Sequence, residues 1–233
     1  MKLRSSVLAA TAITAALAMT PAAALAQTQP PTRDRTAVRD AMIDRVKTRC
    51  LAQIDRRQRA ISELNTRLDN RNTLSDDHRA ALKQIDDSTS AGLTTLANTI
   101  QGETDGTKLR AECRSIVDDY RVFVLVRPRA RLVSIGDREL AAVAKLHDVS
   151  ARIAAKHPDA DLTALNADID AAASHAGAIY DEVNHLTPQS YSAGVLTPGR
   201  DDAHAARDSI RAAIDAAHKA VQAVKGSSTS TTA

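Results

Sequence analysis

Four arginines crowd one short stretch of this chain. Arg121, Arg127, Arg129 and Arg131 all lie in CRSIVDDYRVFVLVRPRARLVSIG, from Cys113 to Gly136. A guanidinium stays charged and presents a planar fork of donors, so such a cluster suits bidentate recognition of carboxylate and phosphate. If Arg127–Arg131 is extended or loop-like, its three guanidiniums alternate with Pro128 and Ala130 and project to one side. They would then face an anionic wall polymer, phospholipid head groups or an acidic partner. The plainer alternative is that they pair with Asp118, Asp119 and Asp137, or lay their stems over apolar surface. Nucleic acid is a poor fit, because Tyr120 and Phe123 are too few for a stacking platform.

Other chemistry is sparse. Glu182-x-x-His185 has the spacing of half a di-iron carboxylate site, which needs a second such pair and two further Glu. Glu63, Glu103, Glu112 and Glu139 have no His three residues on, so the set is incomplete. His175 and Asp181 add nothing better. There is no GxSxG motif, no glycine-rich phosphate loop and no Cys/His zinc pattern. The carboxylate pairs Asp86-Asp87, Asp118-Asp119 and Asp201-Asp202 are sequence neighbours, which diverge on a helix and read as surface charge. No catalytic site, cofactor or metal is expected.

The N-terminus carries an address. Met1-Lys2-Leu3-Arg4 is basic, Val7 to Met19 is apolar and alanine-rich, and Ala24-Leu25-Ala26 follows Pro21. That order is a secretory signal peptide (residues 1–26), cleaved after Ala26. The apolar run is shorter than the ~20 residues of a spanning helix, and no later stretch is as long. The expected location is secreted or extracytoplasmic, in the cell envelope. Lys2 and Arg4 account for most of the excess of 31 basic over 28 acidic residues, so net charge alone gives no polyanion signal.

After export, Cys50 and Cys113 form an even pair, which favours a disulfide. The helical pattern supports it. Ile43, Val46, Cys50, Ile54, Ile61, Leu64 and Leu68 mark a first helix over 36–71, with Asp55/Arg59 and Glu63/Arg67 at i,i+4. Ser75 caps a second helix, with Asp76 and Asp77 in its first turn. Gly102 and Gly106 bracket the next turn, and Leu109, Cys113, Ile116, Tyr120 and Phe123 mark a third helix. At 1.5 Å per residue, Cys50 lies ~33 Å from the first turn and Cys113 ~31 Å from it, so an antiparallel three-helix hairpin brings them level.

Aromatic residues are few (no Trp, one Phe, three Tyr), and Ala dominates the apolar share. Slim, close-packed helices follow from that composition. Pro128 breaks the central stretch. The expectation is a kinked or broken helix resuming near Arg129 and running to Lys156. A small β-hairpin pairing Val122–Val126 with Arg131–Ile135 is the alternative. Beyond His157-Pro158, residues Leu162, Leu165, Ile169, Ala172, Ala176, Ile179, Val183 and Leu186 alternate spacings of three and four. Leu186-Thr187-Pro188 repeats as Leu196-Thr197-Pro198, the second opening a last helix on an alanine stripe, Ala203 to Val224.

The predicted organisation is a disordered lead-in (27–35), an N-terminal three-helix module (36–127), a C-terminal helical module (128–225) and a disordered tail (226–233). The fold class is all-α, an elongated antiparallel bundle or coiled coil of five to six helices.

Cys113-Arg114-x-Ile116, Asp119-Tyr120-Arg121-Val122-Phe123-Val124-Leu125 and Pro128, with the later LTPQSYSAGVLTPGRDDAHAARDSIRAAIDAAHKAV, resemble an uncharacterised family of exported, alanine-rich helical proteins of actinobacteria and other high-GC Gram-positive bacteria. The resemblance implies export and a coiled-coil-like build, and no activity. The resulting expectation is a structural or protein-interaction protein of the envelope, without catalysis. Its partner would be a protein or an anionic envelope component, and homo-oligomers are compatible. The alternative is a binding module for anionic wall polymer or membrane surface through Arg127–Arg131.

Overall fold

The computed structural model describes residues 34–229. The expected signal peptide, residues 27–33 of the expected lead-in and the end of the expected tail lie outside the described residues. Six α-helices run through them: α1 (Arg35–Asp69), α2 (Asp76–Gly102), α3 (Gly106–Asp118), α4 (Arg127–Lys156), α5 (Thr163–Asn184) and α6 (Thr197–Thr229). The described residues contain no β-strand, and none of their helices is long and apolar enough to cross a membrane. The all-α bundle is therefore as expected. α6 continues to Thr229, past the Gly226 where the sequence suggested a tail.

Capping sets the helix ends. The Asp34 carboxylate accepts from Thr36 N–H, Ser75 Oγ from His78 N–H, and Asp105 from the N–H groups of Thr107 and Lys108. Each satisfies donors that a helix start leaves open. At the end of α1, the Arg79 side chain donates to the carbonyls of Leu68, Arg71 and Leu74 at 2.9–3.2 Å. One guanidinium thus closes the α1–α2 turn.

Cys50 and Cys113 are disulfide-bonded, with Cα atoms 5.6 Å apart. The bridge spans 63 residues, which in the chain-entropy picture stabilises by about 4 kcal/mol. It staples a core of Ile54, Ile61, Leu93, Ile100, Leu109 and Ile116 from α1, α2 and α3, closed by Val122 beyond them. A second core lies at the junction. It joins Leu68, Leu74 and Leu82 to Leu125, Val133, Ile179, Val183, Leu186 and Leu196. Both leucines of the Leu-Thr-Pro repeats plug into this core. A third core, Val143, Leu146, Ile153, Leu165, Ile169, Ala172 and Ala213, fills the far end of α4, α5 and α6.

The central stretch is neither a hairpin nor a helix kinked at Pro128. The chain breaks at Arg121, whose φ of 42° is left-handed and unfavourable for a side chain with a Cβ. Residues Val122–Val126 then form one π-helical turn, with Val126 N–H bonding Arg121 O and Arg127 N–H bonding Val122 O. Val122, Leu125 and Val126 are buried, while Phe123 and Val124 face solvent. Pro128 sits in the first turn of α4, directly after the π turn, where its fixed φ suits a helix start. The break is therefore real but displaced from the proline, because proline starts helices as readily as it interrupts them.

The α5 heptad is buried as the sequence indicates, with Ile169, Ala172, Ile179 and Val183 fully enclosed. Small residues let the helices approach closely. At Gly136 of α4, an added Cβ would lie 2.9 Å from the Ala176 carbonyl oxygen of α5. That oxygen is backbone and cannot rotate away. Gly136→Ala is therefore expected to destabilise the fold by about 1–3 kcal/mol, read as a lower midpoint in urea denaturation. An unchanged midpoint would contradict close α4–α5 packing.

Candidate anion-binding groove

The four central arginines separate. Arg129 is 4 % exposed; its Nη1 donates to Leu186 O at 2.7 Å, at the end of α5. Arg121 Nε donates to Pro188 O at 2.9 Å, and its guanidinium stacks 4.8 Å from the Tyr191 ring. Both tie the central stretch to the α5–α6 loop and are architectural. Arg127 and Arg131, one turn apart on α4, reach a different place.

That place is a groove of about 820 Å³ over the start of α4, walled by α1 on one side and α6 on the other. α1 contributes Arg67 and the turn after it Arg71, α4 contributes Arg127 and Arg131, and α6 contributes Arg200, His204 and Arg207. On α4 and α6 the basic side chains lie about one turn apart on a single face. Like charges at that spacing cost a few tenths of a kcal/mol per pair in isolation. Here two such turns meet Arg67 and Arg71 from the end of α1 and the turn after it, and no carboxylate lines the groove among the described residues. Arg67 meets Glu63 at 3.7 Å and Arg207 meets Glu139 at 3.2 Å. Arg71, Arg127, Arg131 and Arg200 have no carboxylate within 4.0 Å among the described residues. Arg127 lies 5.9 Å from the exposed Phe123 ring, whose neighbour Arg57 is at 5.3 Å.

Beneath the arginines the lining is apolar: Leu68, Ala130, Leu132 and Ala203 are buried, and Leu64 and Ile135 are half-buried. Besides the arginines, the polar lining side chains are His204 and Ser134, whose hydroxyl donates to Ala130 O at 2.8 Å. The arrangement can hold anions by charge-assisted, forked hydrogen bonds. The sequence reading found Arg127 and Arg131 and missed Arg67, Arg71, Arg200, His204 and Arg207. Arginines at i,i+4 were the available signal, but Arg35/Arg39, Arg45/Arg49 and Arg110/Arg114 show the same spacing. Only the fold singles out the turns that face each other.

Behind the groove lies a buried polar layer joining α2 to α4 and α5. The Asp137 carboxylate accepts from Ser75 N–H and from His78 Nδ1, both at 2.7 Å, and His78 stacks on Tyr180 at 3.8 Å. Asp86 is 1 % exposed, and its Oδ2 has no hydrogen-bond partner among the described residues. Burial pushes its pKa up to about 7, against the pull of the Arg129 charge and with a smaller push from Asp87. The Arg129 guanidinium is lowered by burial and supported by Asp86 and Tyr180. Elsewhere, His185 Nδ1 bonds Asp181 O, and no group of three His, Cys, Asp or Glu is placed to hold a metal among the described residues.

The Asp86 shift has a sign. The folded chain holds the proton more tightly than the unfolded chain, so this stabilisation is complete below about pH 4 and lost as pH rises through about 7. Asp86→Asn removes that titration. Stability relative to wild type, measured by urea denaturation from pH 5 to 8, should climb with pH for this variant, by on the order of a few kcal/mol in total. A pH-independent difference would refute the buried-acid assignment.

No family model, curated protein or solved structure matches this chain, so the groove stands on its own geometry.

Proposed function

We propose that this protein is a non-catalytic helical binding protein of the extracytoplasmic envelope, and that its groove holds an anionic envelope component. The observation that carries this reading is the convergence of basic side chains from the end of α1, the turn after it, α4 and α6 on a cleft without a lining carboxylate. Such an arrangement costs folding free energy through like-charge repulsion, and a bound anion offsets that cost. The charged, apolar, Ala-x-Ala order of the N-terminus and the Cys50–Cys113 bridge support an oxidising, exported setting. The quoted resemblance to exported helical proteins of high-GC Gram-positive bacteria agrees with it.

The test uses three probes: pyrophosphate, poly(glycerol phosphate) and phosphatidylglycerol vesicles. The last two separate a wall-polymer source from a lipid source. Arg71, Arg131 and Arg200 are exposed and unpaired, so their joint replacement by Ser should leave the helical circular-dichroism spectrum intact. Binding to at least one probe is expected to weaken with added salt, and about a hundredfold in the triple variant. Salt-insensitive binding, or equal binding by the variant, rejects the reading.

A scaffold that works through protein contacts is the second reading. It rests on Val38 and Met42 of α1, which are exposed apolar side chains beside a small cleft lined by Ile43, Val46 and Leu109. Sedimentation of the mature chain should then show a concentration-dependent dimer that Met42→Lys weakens. A monomer at all concentrations removes self-association from this reading.

A further inference from the structure

We infer that the groove's ligand is a chain of linked phosphate groups that touches both walls at once, so that one molecule ties the stapled unit of α1–α3 to the unit of α4–α6. This inference rests on the anion-binding reading above and names the ligand's class and pose.

The charges in the cleft are divided between the two units. Arg67 and Arg71 come from the end of α1 and the turn after it, in the unit that the Cys50–Cys113 bridge closes. Arg127, Arg131 and Arg200 come from α4 and α6, beyond the break at Arg121. No carboxylate lines the cleft between the two sets among the described residues, so they repel each other across it. That repulsion bears on the joint between the units, a left-handed residue followed by one π turn. An anion held by one wall relieves that wall alone. An anion held by both turns repulsion into attraction, and its second contact forms at high effective concentration.

The number of guanidiniums sets the valence. Six arginines line the groove, and among them only Arg67 and Arg207 have a carboxylate within 4.0 Å among the described residues. A single phosphate group brings a charge of about −1.5 to −2, which leaves most of the other four guanidiniums unmatched. The groove's volume, about 820 Å³, lies toward the upper end of the roughly 300–1,000 Å³ of small-molecule sites, so one such group does not fill it. Two walls and a floor present arginines from three directions. A carboxylate offers two oxygens in one plane and meets one fork, whereas the oxygens of successive phosphates point around the chain and serve α1, α4 and α6 together. His204, exposed on α6, adds a ring nitrogen beside them.

Isothermal titration of the purified protein separates the cases. Orthophosphate carries a single group, tripolyphosphate and a glycerol phosphate trimer carry a chain linked as anhydride and as ester, and an acetylated aspartate trimer carries carboxylates alone. One of the two phosphate chains is expected to bind with one-to-one stoichiometry and about tenfold tighter than orthophosphate, and the tighter of them identifies the source as free polyphosphate or wall polymer. Removing either wall, by Arg67→Ser with Arg71→Ser or by Arg200→Ser alone, should bring that chain down to about the affinity of orthophosphate. Arg114→Ser, at an exposed position of α3 outside the groove, controls for net charge and should leave the chain's advantage intact. An advantage that survives the loss of a wall, or that falls as far in Arg114→Ser, overturns the bridge and leaves the anion reading standing. So does orthophosphate binding as tightly as the chains. The aspartate trimer binding as tightly as the phosphate chains overturns the phosphate assignment. No binding of any of these anions overturns both this inference and the anion reading.

Discussion

Arg129 is the charge the fold cannot release. It is buried at the junction, anchored to the Leu186 carbonyl just past α5 and within reach of the Asp86 charge on α2. A buried guanidinium without partners is far more costly than an exposed one, so the helices around it must stay where they are. Asp137, clipped to the start of α2, imposes the same demand from the other direction. Together they fix α2 against α4 and set the separation of α1 and α6 across the groove. The polar layer ties α2 to α4 and α5 where the two helical units meet.

Alanine has the opposite role in the C-terminal unit. Ala172, Ala176, Ala206 and Ala213 supply little apolar area each, but they bring helix axes near enough for backbone to touch side chain. Stability there comes from density rather than bulk. The N-terminal unit has Ile and Leu at its centre together with a covalent staple. The chain therefore combines two ways of closing a slim helical body, and the π-helical turn is the joint between them.

Much of this was legible in the sequence. Cys50 and Cys113 share rise and face, and simple counting brings them together. The α5 heptad and the Ser75 cap follow from spacing and side-chain chemistry. The position of the break was not legible. Pro128 is compatible with both a helix interior and a helix start, and nothing local marks Arg121 as left-handed, since arginine seldom adopts that conformation. Its carbonyl accepts from the π turn and its side chain is held by Pro188 and Tyr191, partners from a distant loop. The groove was half legible for the same reason. Spacing reveals which arginines share a face, while only tertiary packing decides which faces meet and which arginine, such as Arg129, is taken inward.

The length of α1 has a consequence for the order in which the molecule assembles. Its 35 residues extend for about 52 Å, so its two ends serve different cores. Cys50, Ile54 and Ile61 close with α2 and α3, using nothing beyond Val122. Leu68 waits for Leu125, Val183 and Ala203. A chain emerging from its N-terminus can complete the stapled end while the other end of the same helix stays uncovered. Without α6, Leu68 and its neighbours would present an open apolar edge, and the groove would lack one of its walls.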